Sequence, residues 1–119
     1  MDIEEYSKLA LRTTNGDLSY EDCISNACMG IAGEAGELVD VFKKFLFHDK
    51  PVDVNHVVKE LGDLLFYMNW LSTKLDIPWD VIMTVNIAKL SARYPNGFSA
   101  HDSNNRDLYK EEEAIIRAL

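Results

Sequence analysis

The chain has little from which to build a covalent or metal-thiolate framework. Its two cysteines, Cys23 and Cys28, stand five apart with no second pair and no histidine partner close by. Both are expected to be reduced thiols in the interior. Histidine is equally sparse, and His48, His56 and His101 are isolated; none completes a Glu-x-x-His motif, which disfavours a di-iron helical bundle. No Ser/His/Asp or Cys/His arrangement and no Gly-x-x-x-x-Gly-Lys loop occurs, so serine-type hydrolysis and P-loop chemistry are set aside. No segment reaches the roughly 18 apolar residues of a membrane span, and the acidic opening Met1-Asp2-Ile3-Glu4-Glu5 lacks the basic and apolar regions of a signal peptide. The expectation is a cytoplasmic protein with no membrane partner. Cations are outnumbered as well: 12 Lys and Arg against 20 Asp and Glu leave a net charge of -8, which repels a nucleic-acid polymer. A single nucleotide is not excluded, because local lysines and a bound metal ion can hold a small polyphosphate whatever the overall sign.

What is present is helical periodicity. The 119 residues are 47% apolar and are expected to form one folded domain over 1–119, small enough that oligomer contacts matter. No stretch alternates as a strand, so the fold class is all-α. Residues 3–13 make a short helix closed by Asn15-Gly16-Asp17. A second helix begins near Ser19, a capping residue with Asp22 three positions on, and runs to about His48, where Asp49-Lys50-Pro51 stops it. Asp53 caps a third, with Val54, Val57, Leu61, Leu64, Met68 and Leu71 in its stripe, and Ile77-Pro78 ends it. The fourth runs from Trp79 to about Tyr94 and is broken by Pro95-Asn96-Gly97. A polar loop is expected over 99–106, then a short helix over 107–119 with Leu108, Ala114, Ile115 and Leu119 facing inward. Gly30, Gly33 and Gly36 lie inside the second helix, each costing on the order of 1 kcal/mol relative to alanine. They mark either a close approach of another helix or ligand, or a kink that splits the helix.

Two acidic pairs stand out against this frame. Glu34-x-x-Glu37 and Glu60-x-x-Asp63 each put two carboxylates one turn apart on a helix. Glu34 falls within the apolar seam Ala27, Ile31, Leu38, Val41, Phe45, and Glu60 within Val57, Leu64, Tyr67, Leu71. An unpaired buried charge is costly, and no Lys or Arg occupies matching seam positions, so a hard divalent cation is the natural partner. The alternative is that both glutamates sit at the solvated edge of the seam.

The run Gly33-Glu34-Ala35-Gly36-Glu37-Leu38, followed by Glu60-Leu61-Gly62-Asp63-Leu64-Leu65, closely resembles the MazG-like branch of the all-α nucleoside triphosphate pyrophosphohydrolases. Asn26-Ala27 before it, and Asn86-x-x-Lys89-Leu90-x-x-Arg93-Tyr94-Pro95-x-Gly97-Phe98 after it, are similar to the short single-domain members, so the likeness spans roughly residues 5–106 and leaves 107–119 as an extension. The resemblance implies a helical hairpin or four-helix bundle completed as a homodimer or homotetramer. It also implies that Glu34, Glu37, Glu60 and Asp63 bind Mg2+, with Mn2+ a substitute, and that a (deoxy)nucleoside triphosphate is cleaved to the monophosphate and pyrophosphate in nucleotide-pool control or house-cleaning. Glu37 is the carboxylate assigned as catalytic base. Gly33 stands where many relatives carry a further glutamate, so this chain offers no base there. Tyr67, one turn after Asp63, is placed to touch a ribose or phosphate. Asn86, Lys89 and Arg93 form a polar strip for the triphosphate, while Lys44 and Asn26 are further candidate contacts. Trp70 and Trp79 are expected in core or interface. The alternative function is a non-catalytic helical partner protein with a structural ion.

Overall fold

The computed structural model describes residues 1–119 as six helices. These are α1 (Ile3–Leu11), α2 (Tyr20–Phe47), α3 (Val54–Lys74), α4 (Trp79–Arg93), α5 (Ala100–Asn104) and α6 (Leu108–Ala118). There is no strand; Pro95 and Gly97 form one isolated bridge. The chain divides into two compact units, Met1–Asp76 and Ile77–Leu119.

Local chemistry sets the helix ends. The side chains of Asp2, Ser19, Asp53, Ser99 and Asp107 each accept a hydrogen bond from the backbone N–H three residues on, satisfying a donor that the first turn leaves orphaned. At the other end, Asp49 and Asp76 adopt φ of 52° and 53°, left-handed backbone that turns the chain after α2 and α3. The segment 99–106, expected as loop, contains α5 because Ser99 caps it through Asp102 N–H at 2.9 Å.

In the first unit α2 and α3 form an antiparallel hairpin, with Ala27 near Trp70, Gly30 against Tyr67 and Glu34 beside Glu60 and Asp63. The core is Cys23, Ala27 and Trp70, the last 6% exposed, with Leu11, Leu18, Phe66, Tyr67 and Leu71 packed around them. Phe66 and Tyr67 meet edge to face, ring centres 5.3 Å apart. Cys28, expected inside, is exposed. Five residues advance a helix by about 140° beyond a full turn, so Cys23 and Cys28 cannot share a buried face.

α2 is unbroken through its three glycines. Gly30 has the reason: a β-carbon there would collide with the Tyr67 ring, whereas Gly33 and Gly36 have open space. Gly30→Ala is therefore expected to destabilise by about 1–3 kcal/mol, through overpacking that outweighs alanine's helix preference. Gly33→Ala should instead stabilise by up to about 1 kcal/mol. Urea unfolding of the two variants checks the opposite signs.

In the second unit α4 packs on α6. Leu108 and Leu119 are exposed, contrary to the inward expectation, and Glu111 is the buried residue of α6 at 3% exposure. Its carboxylate accepts from Arg93 Nε (3.0 Å) and Nη2 (2.7 Å), and from Arg106 Nε and Nη2 (3.0 Å each). Two charge-assisted pairs explain why an acid displaces leucine from this face. The chain between α4 and α5 turns at Gly97, whose φ of 83° suits glycine alone.

The two guanidiniums hold the Glu111 carboxyl well below its usual range, at about 2, first through hydrogen bonds from Arg106 and Arg93. A carboxyl depressed on folding contributes stability that is complete above its unfolded value of about 4.5, declines as pH falls below it, and is gone below about 2. Glu111→Gln is expected to remove that acid-range dependence and to speed amide exchange in α6 roughly tenfold at neutral pH. Hydrogen exchange measured from pH 7 to pH 3 checks both.

Candidate metal centre

The hairpin brings three of the four acidic residues together. One carboxylate oxygen each from Glu34, Glu60 and Asp63 lie within 4.8 Å of one another. Opposite ligands on an octahedral Mg2+ stand about 4.2 Å apart, so small side-chain rotations would close the set around one ion. Glu34 comes from the middle of α2, Glu60 and Asp63 from one turn of α3, and the close Gly30–Tyr67 contact one turn away sets the spacing between the helices.

The electrostatics of the cluster call for a cation. Glu60 is 8% exposed, and its Oε2 is buried without a hydrogen-bond partner. The Glu34 carboxyl is pushed up to about 6, chiefly by a proton shared with Glu60, then by burial and by the charges of Asp63, Glu60 and Glu37. Without an ion the site thus takes up a proton as pH falls through about 6, earlier than a free glutamate would. An oxygen-only donor set, net negative and holding an orphaned buried acceptor, fits Mg2+ or Mn2+. The seam reading of Glu60 holds in these contacts, and Glu34 is half-buried beside it.

Glu37 is exposed and lies outside the three-oxygen cluster, although its charge reaches Glu34. Tyr67 is half-buried, its ring against Gly30 and the core. Asn26 is exposed, and its amide donates to Asp22 O at 2.9 Å. Lys44 lines a shallow basic depression at the end of α2 with Asp40, Lys43, His48 and Lys50. Asn86, Lys89 and Arg93 belong to the second unit, where Arg93 engages Glu111.

Two residues beside the cluster carry contacts that their sequence neighbourhoods conceal. α1 packs on α3, and burial and then the charge of Asp63 push the hydroxyl of its Tyr6 upward. His56 Nε2 lies 3.0 Å from Glu60 Oε1. As sequence His56 stands alone, and the signal that pairs it is its spacing of four residues before Glu60 on a helix.

Comparison with known proteins agrees with this geometry. The MazG nucleotide pyrophosphohydrolase domain matches residues 14–98, which include every acid of the cluster. The chain is also 30% identical over 105 residues to the Gene 37 protein of Mycobacterium phage L5, covering 84% of this chain and 91% of that protein, whose name states no activity. No solved structure matches the chain.

Proposed function

Because the chain belongs to the MazG nucleotide pyrophosphohydrolase family, we propose that it hydrolyses (deoxy)nucleoside triphosphates between the α and β phosphates, releasing the monophosphate and pyrophosphate, in nucleotide-pool control or house-cleaning. The observation that carries this is the convergence of Glu34, Glu60 and Asp63 within 4.8 Å, with a buried Glu60 oxygen lacking a partner. Those three residues would hold Mg2+ or Mn2+, which when bound neutralises phosphate oxygens and makes water more acidic. Glu37, next to the cluster and free of it, is the fourth acid: it completes the ligand set or accepts the proton of the attacking water. The water oxygen bonds to the α phosphorus, the bond from that phosphorus to the bridging oxygen breaks, and pyrophosphate leaves.

Substrate contacts are proposed from Asn26, Lys44, Tyr67, Asn86, Lys89 and Arg93. Arg93 already gives Nε and Nη2 to Glu111, so its part in the site would be to add positive charge near the phosphates. The reading takes residues 1–119 as one functional domain, with 107–119 an extension, acting in the cytoplasm on a small nucleotide and on no nucleic-acid polymer. No helix is long and apolar enough to cross a membrane.

The proposed assembly is a homodimer or homotetramer. Val39, Phe42, Phe45 and Leu46 on α2 and Val58 and Leu61 on α3 are exposed, an apolar surface that a second hairpin of the same kind would cover. Light scattering that finds only a 13.5 kDa species would overturn it.

The test of function is incubation of a panel of nucleoside triphosphates with Mg2+. Pyrophosphate rather than orthophosphate should appear. Absence of turnover on every nucleotide, with metal bound, would leave the non-catalytic helical partner instead.

A further inference from the structure

We infer that His56 is a positioning residue for the Glu60 carboxylate, presenting it to the divalent ion. The inference rests on the metal-binding reading of the acidic cluster. His56 lies in the first turn of α3, where its backbone N–H donates to the capping Asp53 carboxylate at 3.3 Å. One turn on, its ring Nε2 meets Glu60 Oε1 at 3.0 Å. The Glu60 side chain is 10% exposed and that of His56 43%, so the contact runs from the solvated edge of the hairpin to its buried acid.

The two oxygens of Glu60 consequently have different surroundings. Oε1 meets the imidazole, while Oε2 is buried without a hydrogen-bond partner. A carboxylate fixed at one oxygen loses rotational freedom and keeps the other oxygen's lone pairs for an incoming cation. The chemistry of the donor matters. Lysine or arginine at position 56 would bring a permanent positive charge that competes with the metal, whereas an imidazole donating from Nε2 holds the carboxylate by one directed hydrogen bond. On α2 the side chain that reaches Glu60 is Glu34, a second carboxyl that shares a proton with it and offers no fixed positive charge.

Mn2+ affinity of the full chain, read from the electron paramagnetic resonance signal of free Mn2+ at pH 7.5, tests this without reference to turnover. His56→Ala is expected to weaken Mn2+ binding 10–100-fold, the range for residues that orient a metal ligand. His56→Gln, which retains an N–H donor of similar reach, should regain most of the loss. Circular dichroism confirms that the variants keep their helices. On the unaltered protein, long-range proton–nitrogen spectra should find the His56 proton on Nε2. Parent-like affinity in His56→Ala, a glutamine variant no better than alanine, or a proton on Nδ1 would each overturn the inference while leaving the metal centre standing. Failure of the parent protein to bind Mn2+ at all would remove the metal reading and this inference with it.

Discussion

Glutamine in place of Glu60 is expected to lower pyrophosphate release at least roughly a thousandfold, equivalent to about 4 kcal/mol of transition-state stabilisation, while making the metal-free protein more stable than its parent. Both effects come from one property of the site. Glu60 is buried at the meeting point of three carboxylates, and its Oε2 lacks a donor. Glutamine keeps the shape, supplies N–H groups and removes a negative charge, so the repulsion that raises the Glu34 carboxyl is eased. The gain expected is about 1 kcal/mol, a rise of a few degrees in the midpoint of thermal unfolding without metal. Loss of function accompanied by a gain in stability is the mark of a group placed for binding rather than for packing. Calorimetry in chelator, paired with a pyrophosphate assay in Mg2+, measures the two together. A variant within tenfold of parent activity would remove Glu60 from the centre.

Trp70→Ala is expected to have the largest effect on folding, a loss of about 3–5 kcal/mol. Most domains hold only 5–15 kcal/mol in reserve, and the buried apolar set of this chain is small: Cys23, Ala27, Val41 and Trp70. Trp70 is the largest of these and meets both Phe66 and Tyr67, at 6.3 and 6.4 Å between ring centres. Removing the indole leaves a cavity under the Tyr67 ring, the same ring that presses on Gly30 one turn from the acids. Metal affinity should fall along with the urea midpoint. Cys28→Ala, an exposed change on the same hairpin, is the control and should move neither.

Much of the hairpin can be read in sequence because local chemistry decides it. Ser19 and Asp53 open α2 and α3 as capping residues, and helical spacing alone puts Glu60 among Val57, Leu64 and Leu71, where burial follows. The finer points depend on what lies across the interface. Glu34 and Glu37 differ by about 60° around the helix. The spacing says that they share a side, but the facing turn of α3 decides that Glu34 joins the cluster while Glu37 stays exposed. The glycines divide the same way, since the aromatic ring opposite Gly30 has no counterpart at Gly33 or Gly36. In α6 an apolar count favours Leu108 and Leu119 for the interior, yet Arg93 and Arg106 draw Glu111 inward. Nothing within α6 itself announces that Arg93 and Arg106, thirteen residues apart, converge on one acid.

That convergence has a practical bearing on any shortened version of the protein. The stretch that matches the family ends at residue 98, which keeps Arg93 and discards both its carboxylate and the second arginine. A fragment cut there would lose the helix that packs on α4 and open that face of α4, with Arg93 unpaired, to water. Its poor solubility would then report the missing tail rather than any defect in the hairpin.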